Sequence, residues 1–278
     1  MEQNNLNRIE KKFRELRNKR DKALICYVVG GYPDIKTSEH IIDALIEGGA
    51  DMIEIGIPFS DPIADGSTIQ EALHSSLALG ITPQHCLDLS QRLRVKHPEI
   101  PLIIMTYSNI LFRRGIEEFS RDAKKKGIDG YILPDVSIEE SEEYVNAARK
   151  NGLSTIFLAS PNTNELRLKM IIKNCSGFLY VVSVFGITGE RQKFDKYTFT
   201  FIKKVKKLTN GKINIASGFG INTPEHVKNM IEAGADAVIV GSAIIRKIKE
   251  TENKETLLDL LRNYITDLKL ACRENKKR

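Results

Sequence analysis

Three short junctions constrain this chain more than any other feature. Gly49-Ala50-Asp51, Gly127-Ile128-Asp129 and Gly234-Ala235-Asp236 each end a stretch of helical periodicity and open an apolar run. Glycine suits the left-handed backbone position just past a helix end, so each junction reads as the turn from a helix into the next strand. Apolar runs predict strands at 23–29, 51–57, 101–107, 130–134, 154–159, 177–183, 213–217 and 237–240. Helical spacing predicts helices at 36–49, 68–79, 83–96, 115–126, 139–150, 164–174, 198–208, 224–233 and 253–271. Strands with little polar alternation are covered on both faces, as in a parallel sheet. Eight βα units in 278 residues favour a closed (β/α)8 TIM barrel of the α/β class over an open doubly wound sheet. Leu6, Ile9, Phe13 and Leu16 add an amphipathic N-terminal helix over 6–18. No Gly- or Pro-rich linker divides the chain. It reads as one TIM-barrel domain over 1–278, with 1–22 as a helical extension and 272–278 as a basic tail.

Composition then excludes several classes. Hydrophobic residues at 41% and charged residues at 28% are an ordinary globular balance. No apolar run approaches the roughly 20 residues of a membrane span, and the N-terminus lacks the apolar stretch of a signal peptide. Cys26, Cys86, Cys175 and Cys272 are widely spaced with no CxxC, which argues against a disulfide framework or a zinc site and for a reduced, cytoplasmic protein. The net charge of +6 sits at the ends: residues 1–22 hold eight basic and four acidic side chains, and residues 262–278 hold six and two. Those segments sum to +8, leaving −2 on residues 23–261. With Trp absent and no basic groove interleaved with stacking aromatics, nucleic acid is not expected as a partner; the ends read as solvated helix faces and a frayed tail. None of the five histidines has metal-ligand spacing, and no metal is expected.

In a barrel of this kind the chemistry lies at the C-terminal ends of the strands. In the second strand Ile53, Ile55 and Ile57 suit the helix-facing side, which turns Glu54 inward. A carboxyl buried there has its pKa raised toward the range useful for acid/base catalysis; the alternative is a glutamate held in a buried ion pair. The following loop, Pro58 to Gly66, carries Asp61 and Asp65. Asp65 is placed to meet Glu54 across a pocket, or else to cap a helix starting near Ser67-Thr68. Ser217-Gly218-Phe219-Gly220 and Gly241-Ser242 follow the last two strands, where barrels bind phosphate through backbone N–H groups and a helix N-terminus. Such a site does not draw on the surplus lysines. Ser183–Arg191 has two glycines and the length of a lid.

Together, GADMIEIGIPFSDPIADGSTIQEAL, SGFGI and VGSAI resemble the tryptophan synthase alpha chain family, from about Ile25 to the final helix. The resemblance implies retro-aldol cleavage of indole-3-glycerol phosphate to indole and glyceraldehyde 3-phosphate. It implies acid/base work by Glu54, and stabilisation of the ring N–H by Asp65. It further implies substrate contacts from Tyr27, Tyr180 and Thr188, and phosphate contacts from Gly189, Gly218, Gly220, Gly241 and Ser242. A pyridoxal-phosphate beta chain is the implied partner, in an alpha2beta2 heterotetramer that receives the indole. Asp61, Pro62 and the segment Tyr107-Ser108-Asn109 would face it, and the chain itself would need no cofactor. Cys26, Val29, Ser67 and Val184-Phe185 depart from residues common in the family. A free-standing lyase and a non-catalytic barrel that binds a phosphorylated ligand are the alternatives.

Overall fold

The structure, a computed structural model, describes residues 7–182, 196–218 and 220–273. Its strands are β1 (Ala23–Val29), β2 (Met52–Gly56), β3 (Leu102–Met105), β4 (Gly130–Ile132), β5 (Ser154–Ile156), β6 (Leu158–Ala159), β7 (Phe178–Val182), β8 (Asn214–Gly218) and β9 (Ala237–Val240). All pair in parallel, in the order β5-β4-β3-β2-β1-β9-β8-β7-β6. The two ends of that order are consecutive pieces of one stave, interrupted at Phe157. Its first half pairs with β4 and its second with β7, while the Phe157 carbonyl accepts the Tyr180 N–H at 2.9 Å. The sheet therefore returns on itself as an eight-staved barrel, and the strand expected at 154–159 is present in two pieces. Every residue of β1 and β2 is buried, as the unalternating apolar pattern requires.

The helices are α1 (Arg8–Lys19), α2 (Ile35–Glu47), α3 (Ser67–Ala78), α4 (Pro83–Lys96), α5 (Ser108–Arg114), α6 (Ile116–Lys125), α7 (Glu142–Lys150), α8 (Glu165–Asn174), α9 (Lys196–Thr209), α10 (Pro224–Glu232), α11 (Ser242–Glu250) and α12 (Lys254–Ala271). No periodicity announces α5, because seven residues are too few to show a repeat. The helix N-terminus anticipated beyond the last strand is α11, whose extent the sequence did not mark. No helix among the described residues is long and apolar enough to cross a membrane.

The three glycines of the junctions have positive φ: Gly49 at 106°, Gly127 at 86° and Gly234 at 110°. The aspartate that follows each has a role the periodicity did not reveal. The Asp51 N–H donates to the Leu24 carbonyl and its carboxylate accepts the Leu24 N–H, both at 2.8 Å. Asp129 makes the same ring with Leu102, and Asp236 with Ile215. Each carboxylate thus staples two adjacent staves at the barrel base. Each also has cations: Lys269 at 2.6 Å from Asp51, Arg94 at 2.8 Å and Arg8 at 3.0 Å from Asp129, and Lys206 at 2.6 Å and Lys22 at 3.8 Å from Asp236. Arg8, Lys22 and Lys269 belong to the two basic ends. Part of the terminal surplus is therefore built into the fold, which corrects the reading of those ends as merely solvated.

The N-terminal extension is likewise part of the core. Ile9, Phe13 and Leu16 of α1 are buried, Phe13 meets Phe178 edge-on at 6.1 Å, and Asn7 donates to Ser154 Oγ at 2.5 Å. At the other end, Cys272 is buried and accepts the Lys22 N–H, and Arg273 bridges Asp21. Residues 272 and 273 therefore belong to the fold and not to a tail; the remainder of the expected tail lies outside the described residues.

Candidate active site

Glu54 sits in the middle of β2, level with Tyr27 on β1 and Ile103 on β3. The isoleucines on either side point toward the helices and leave this carboxyl facing the barrel interior. It is 0% exposed, and neither of its oxygens has a hydrogen-bond partner. The ion-pair alternative for Glu54 is thereby removed. Burial, reinforced by the nearby charge of Asp65, pushes its pKa from the ordinary 4.5 up to about 8. A carboxyl in this state is protonated at neutral pH and available as a proton donor.

Asp65 comes from the loop between β2 and α3. It does not cap the helix, because Gly66 is the N-cap of α3 and no side chain completes that cap. Instead its Oδ2 accepts a hydrogen bond from the Tyr107 hydroxyl at 2.7 Å. Tyr107 fixes the loop twice over: its hydroxyl also accepts the Ala64 N–H at 3.1 Å, and its ring stacks on Phe59 at 4.9 Å. Gln70 donates to the Asp65 and Pro62 carbonyls at 2.9 and 3.2 Å. Burial raises the Asp65 pKa, while the phenol donor opposes that rise. The two acids thus share a cavity in unequal environments, one with a donor and one with none.

That cavity, about 110 Å³, opens at the C-terminal end of the barrel. Glu54, Asp65, Tyr27 and Tyr180 line it beside the apolar side chains of Ile69, Met105, Leu158 and Ile239. Two glycines make room for the tyrosines. A Cβ at Gly56 would collide with the Tyr27 hydroxyl, and one at Gly218 would lie 2.5 Å from that of Tyr180. Gly241 accepts the near side of the Tyr27 ring, which a Cβ would meet at 3.1 Å. Gly220 has φ of 72° and lines the cavity with Gly241 and Ser242. Ser242 opens α11, whose N-cap Gly241 carries no capping side chain. The first-turn amides of that helix have no intrahelical acceptor, so this wall offers N–H groups and the positive end of a helix dipole to an anion.

The structure therefore gathers Glu54, Asp65, Tyr27, Tyr180, Gly220, Gly241 and Ser242 around one cavity. Gly218 lies at the end of β8, beneath the Tyr180 ring. Thr188, Gly189 and the expected lid lie outside the described residues. Of the positions expected to face a partner, Asp61 and Asn109 are exposed and Pro62 is buried. Tyr107 is buried too, its hydroxyl turned inward to Asp65 and not outward. Its part in the site was not legible from sequence, since nothing local marks which way its ring turns. Arg246 was also missed; its position one helical turn beyond Ser242 was the available signal. Among the described residues, no group of three or more His, Cys, Asp or Glu side chains is arranged to hold a metal ion.

A family model described as the tryptophan synthase alpha chain matches residues 13–273. The chain is 45% identical to the tryptophan synthase alpha chain of Methanocaldococcus jannaschii, over 87% of this chain and 85% of that one. It is similar to the crystal structure of tryptophan synthase subunit alpha from Legionella pneumophila, with a TM-score of 0.85 and 32% identity, over 96% and 98% of the two chains. It is also similar to a chain in the tryptophan synthase complex from Pyrococcus furiosus, with a TM-score of 0.82 and 35% identity, over 90% and 98%. With nearly the whole barrel matched and the two acids and the N-terminus of α11 at one cavity, the chain belongs to the tryptophan synthase alpha chain family.

Proposed function

We infer that this protein cleaves indole-3-glycerol phosphate to indole and glyceraldehyde 3-phosphate, with Glu54 as the acid and base and Asp65 as the electrostatic partner. The observation that carries the reading is the Glu54 carboxyl, fully buried, without a partner and aimed into the cavity. Such a group is costly to keep, and that cost is understandable where a substrate completes its contacts. In the proposed reaction the neutral carboxyl gives its proton to C3 of the indole ring. The ring becomes an indolenine, and Asp65 balances the positive charge developing at the ring N–H. The resulting Glu54 carboxylate then takes the proton of the side-chain hydroxyl. That oxygen becomes the aldehyde, the carbon–carbon bond breaks, and its electron pair returns to the ring. Glu54 ends the cycle protonated as it began, and no water or cofactor is consumed. Ring stacking and apolar contact would come from Tyr27, Tyr180 and Leu158, with the phosphate on Gly220, Gly241 and Ser242.

The indole goes to a beta chain in this reading, with pyridoxal phosphate held on that partner and the two chains assembled as alpha2beta2. Asp61 and Asn109, with Ile63 (81% exposed) and Phe112 (60% exposed), put polar and apolar surface on the face where the cavity opens. Indole release from indole-3-glycerol phosphate, measured with and without added beta chain, tests both parts. Release that rises with the partner supports the complex. Equal rates leave a free-standing lyase, and no release under either condition rejects the reaction.

A further inference from the structure

The cavity presents two carboxyl groups, Glu54 and Asp65, yet the proposed substrate brings a phosphate dianion into it. Among the described residues lining the cavity, one side chain is basic: Arg246 of α11. It follows Ser242 by four positions, so both side chains leave the helix on the same face. The other cations of α11 are engaged elsewhere. Lys247 lies 4.6 Å over the Tyr264 ring, and Lys249 pairs with Glu71. Arg246 has no ion pair or hydrogen bond with any described residue.

A helix N-terminus amounts to about half an elementary charge, well short of a dianion's two. The backbone N–H groups fix the position of the anion but leave its charge under-compensated, in a cavity that already holds two acids. An arginine fork can meet two phosphate oxygens at once. We propose that Arg246 is the side-chain cation of the phosphate subsite and a positioning residue for substrate. The proposal rests on the phosphate-bearing substrate inferred above. It also amends the expectation that backbone groups suffice there. The phosphate is remote from the bond that breaks, so the contact is made equally in ground and transition states. Its loss therefore appears mainly in KM and much less in kcat. Arg246 is exposed, and solvent screening limits the effect.

The test compares the full-length protein with Arg246→Gln and Arg246→Lys in steady-state indole release, after equal melting temperatures show that the fold is kept. For Arg246→Gln, KM is expected to rise about tenfold, the scale of one charge-assisted hydrogen bond discounted for exposure. Arg246→Lys should recover much of it. The inhibition constant of inorganic phosphate should rise in parallel, and the salt dependence of KM should flatten. A KM and a phosphate inhibition constant both within twofold of the parent would overturn the assignment, as would a loss confined to kcat. If the parent protein releases no indole, the proposed reaction fails by itself. Calorimetric binding of inorganic phosphate to the parent and Arg246→Gln proteins then still decides the role of Arg246: weaker binding by the variant supports it and equal binding rejects it.

Discussion

The two ends of this barrel treat their buried and half-buried carboxyl groups in opposite ways. At the base, Asp51, Asp129 and Asp236 each accept a backbone N–H from the neighbouring stave and each meet at least one lysine or arginine within 4 Å. At the top, Glu54 has neither donor nor cation, and Asp65 has only a phenol. Every base aspartate follows a glycine that turns a helix into a strand, so its carboxylate is spent on closing the sheet. Glu54 lies mid-strand, where the only space it faces is the cavity. The difference is one of partners: a satisfied acid holds staves together, whereas Glu54 keeps an unpartnered carboxyl toward the cavity. Removing the carboxyl should therefore have opposite consequences at the two ends.

The largest expected effect is at the top. Glu54→Gln should reduce indole release by roughly 10²- to 10⁴-fold, the usual contribution of a general acid or base, while circular dichroism shows the fold intact. Retention of more than about a tenth of the parent rate would take Glu54 out of its role. At the base, loss of the carboxyl acts on stability. Asp129→Ala leaves Arg94 and the Leu102 N–H without their partner, and should lower unfolding free energy by about 3–5 kcal/mol, the cost of breaking a buried pair. Denaturant unfolding reads this directly, and a loss under 1 kcal/mol would mean that the staple is dispensable.

A smaller effect sharpens the contrast within the top itself. Tyr107→Phe removes the one donor to Asp65, so the carboxylate is less favoured and the acid limb of the rate profile should move to higher pH. Activity near neutrality should fall roughly tenfold, the scale of a hydrogen bond to a charged group. An unchanged profile would show that Tyr107 only packs. The last expectation concerns pH and stability. The Glu54 pKa is raised in the folded state, so the folded protein binds this proton more tightly than the unfolded chain. The contribution is complete below the ordinary 4.5 and is lost as pH rises toward about 8. Glu54→Gln should therefore melt higher than the parent above pH 8, by a few degrees, with the gap closing below pH 5. In the same interval, indole release by the parent should decline as Glu54 loses its proton. A melting difference that does not vary with pH would place the Glu54 carboxyl in contact with donors or water.

Much of the architecture was legible because it is local. Helical and strand periodicity, with glycine past the helix ends, located seven of the eight staves within a few residues and the eighth as a stave that the structure breaks at Phe157. Alternation along β2 set Glu54 inward, since a strand has only two faces. Side-chain direction in loops and pairing across the barrel were not legible. Tyr107 looked like surface beside the exposed Asn109, yet its ring turns in to hold Asp65. The Asp of each Gly-x-Asp junction looked like a turn residue, yet its partner is an amide on another stave and a cation as distant as Lys269 from Asp51.

By itself, then, the sequence determined the repeat, the closure of eight units and the types of group at the strand ends. These follow from periodicities of two and 3.6 residues, which are properties of adjacent positions. Only the tertiary structure decided which buried acids are satisfied. A carboxylate's partners come from segments scores of residues away, and folding alone brings the charges of Arg8, Lys22 and Lys269 to the base while leaving Glu54 without a donor.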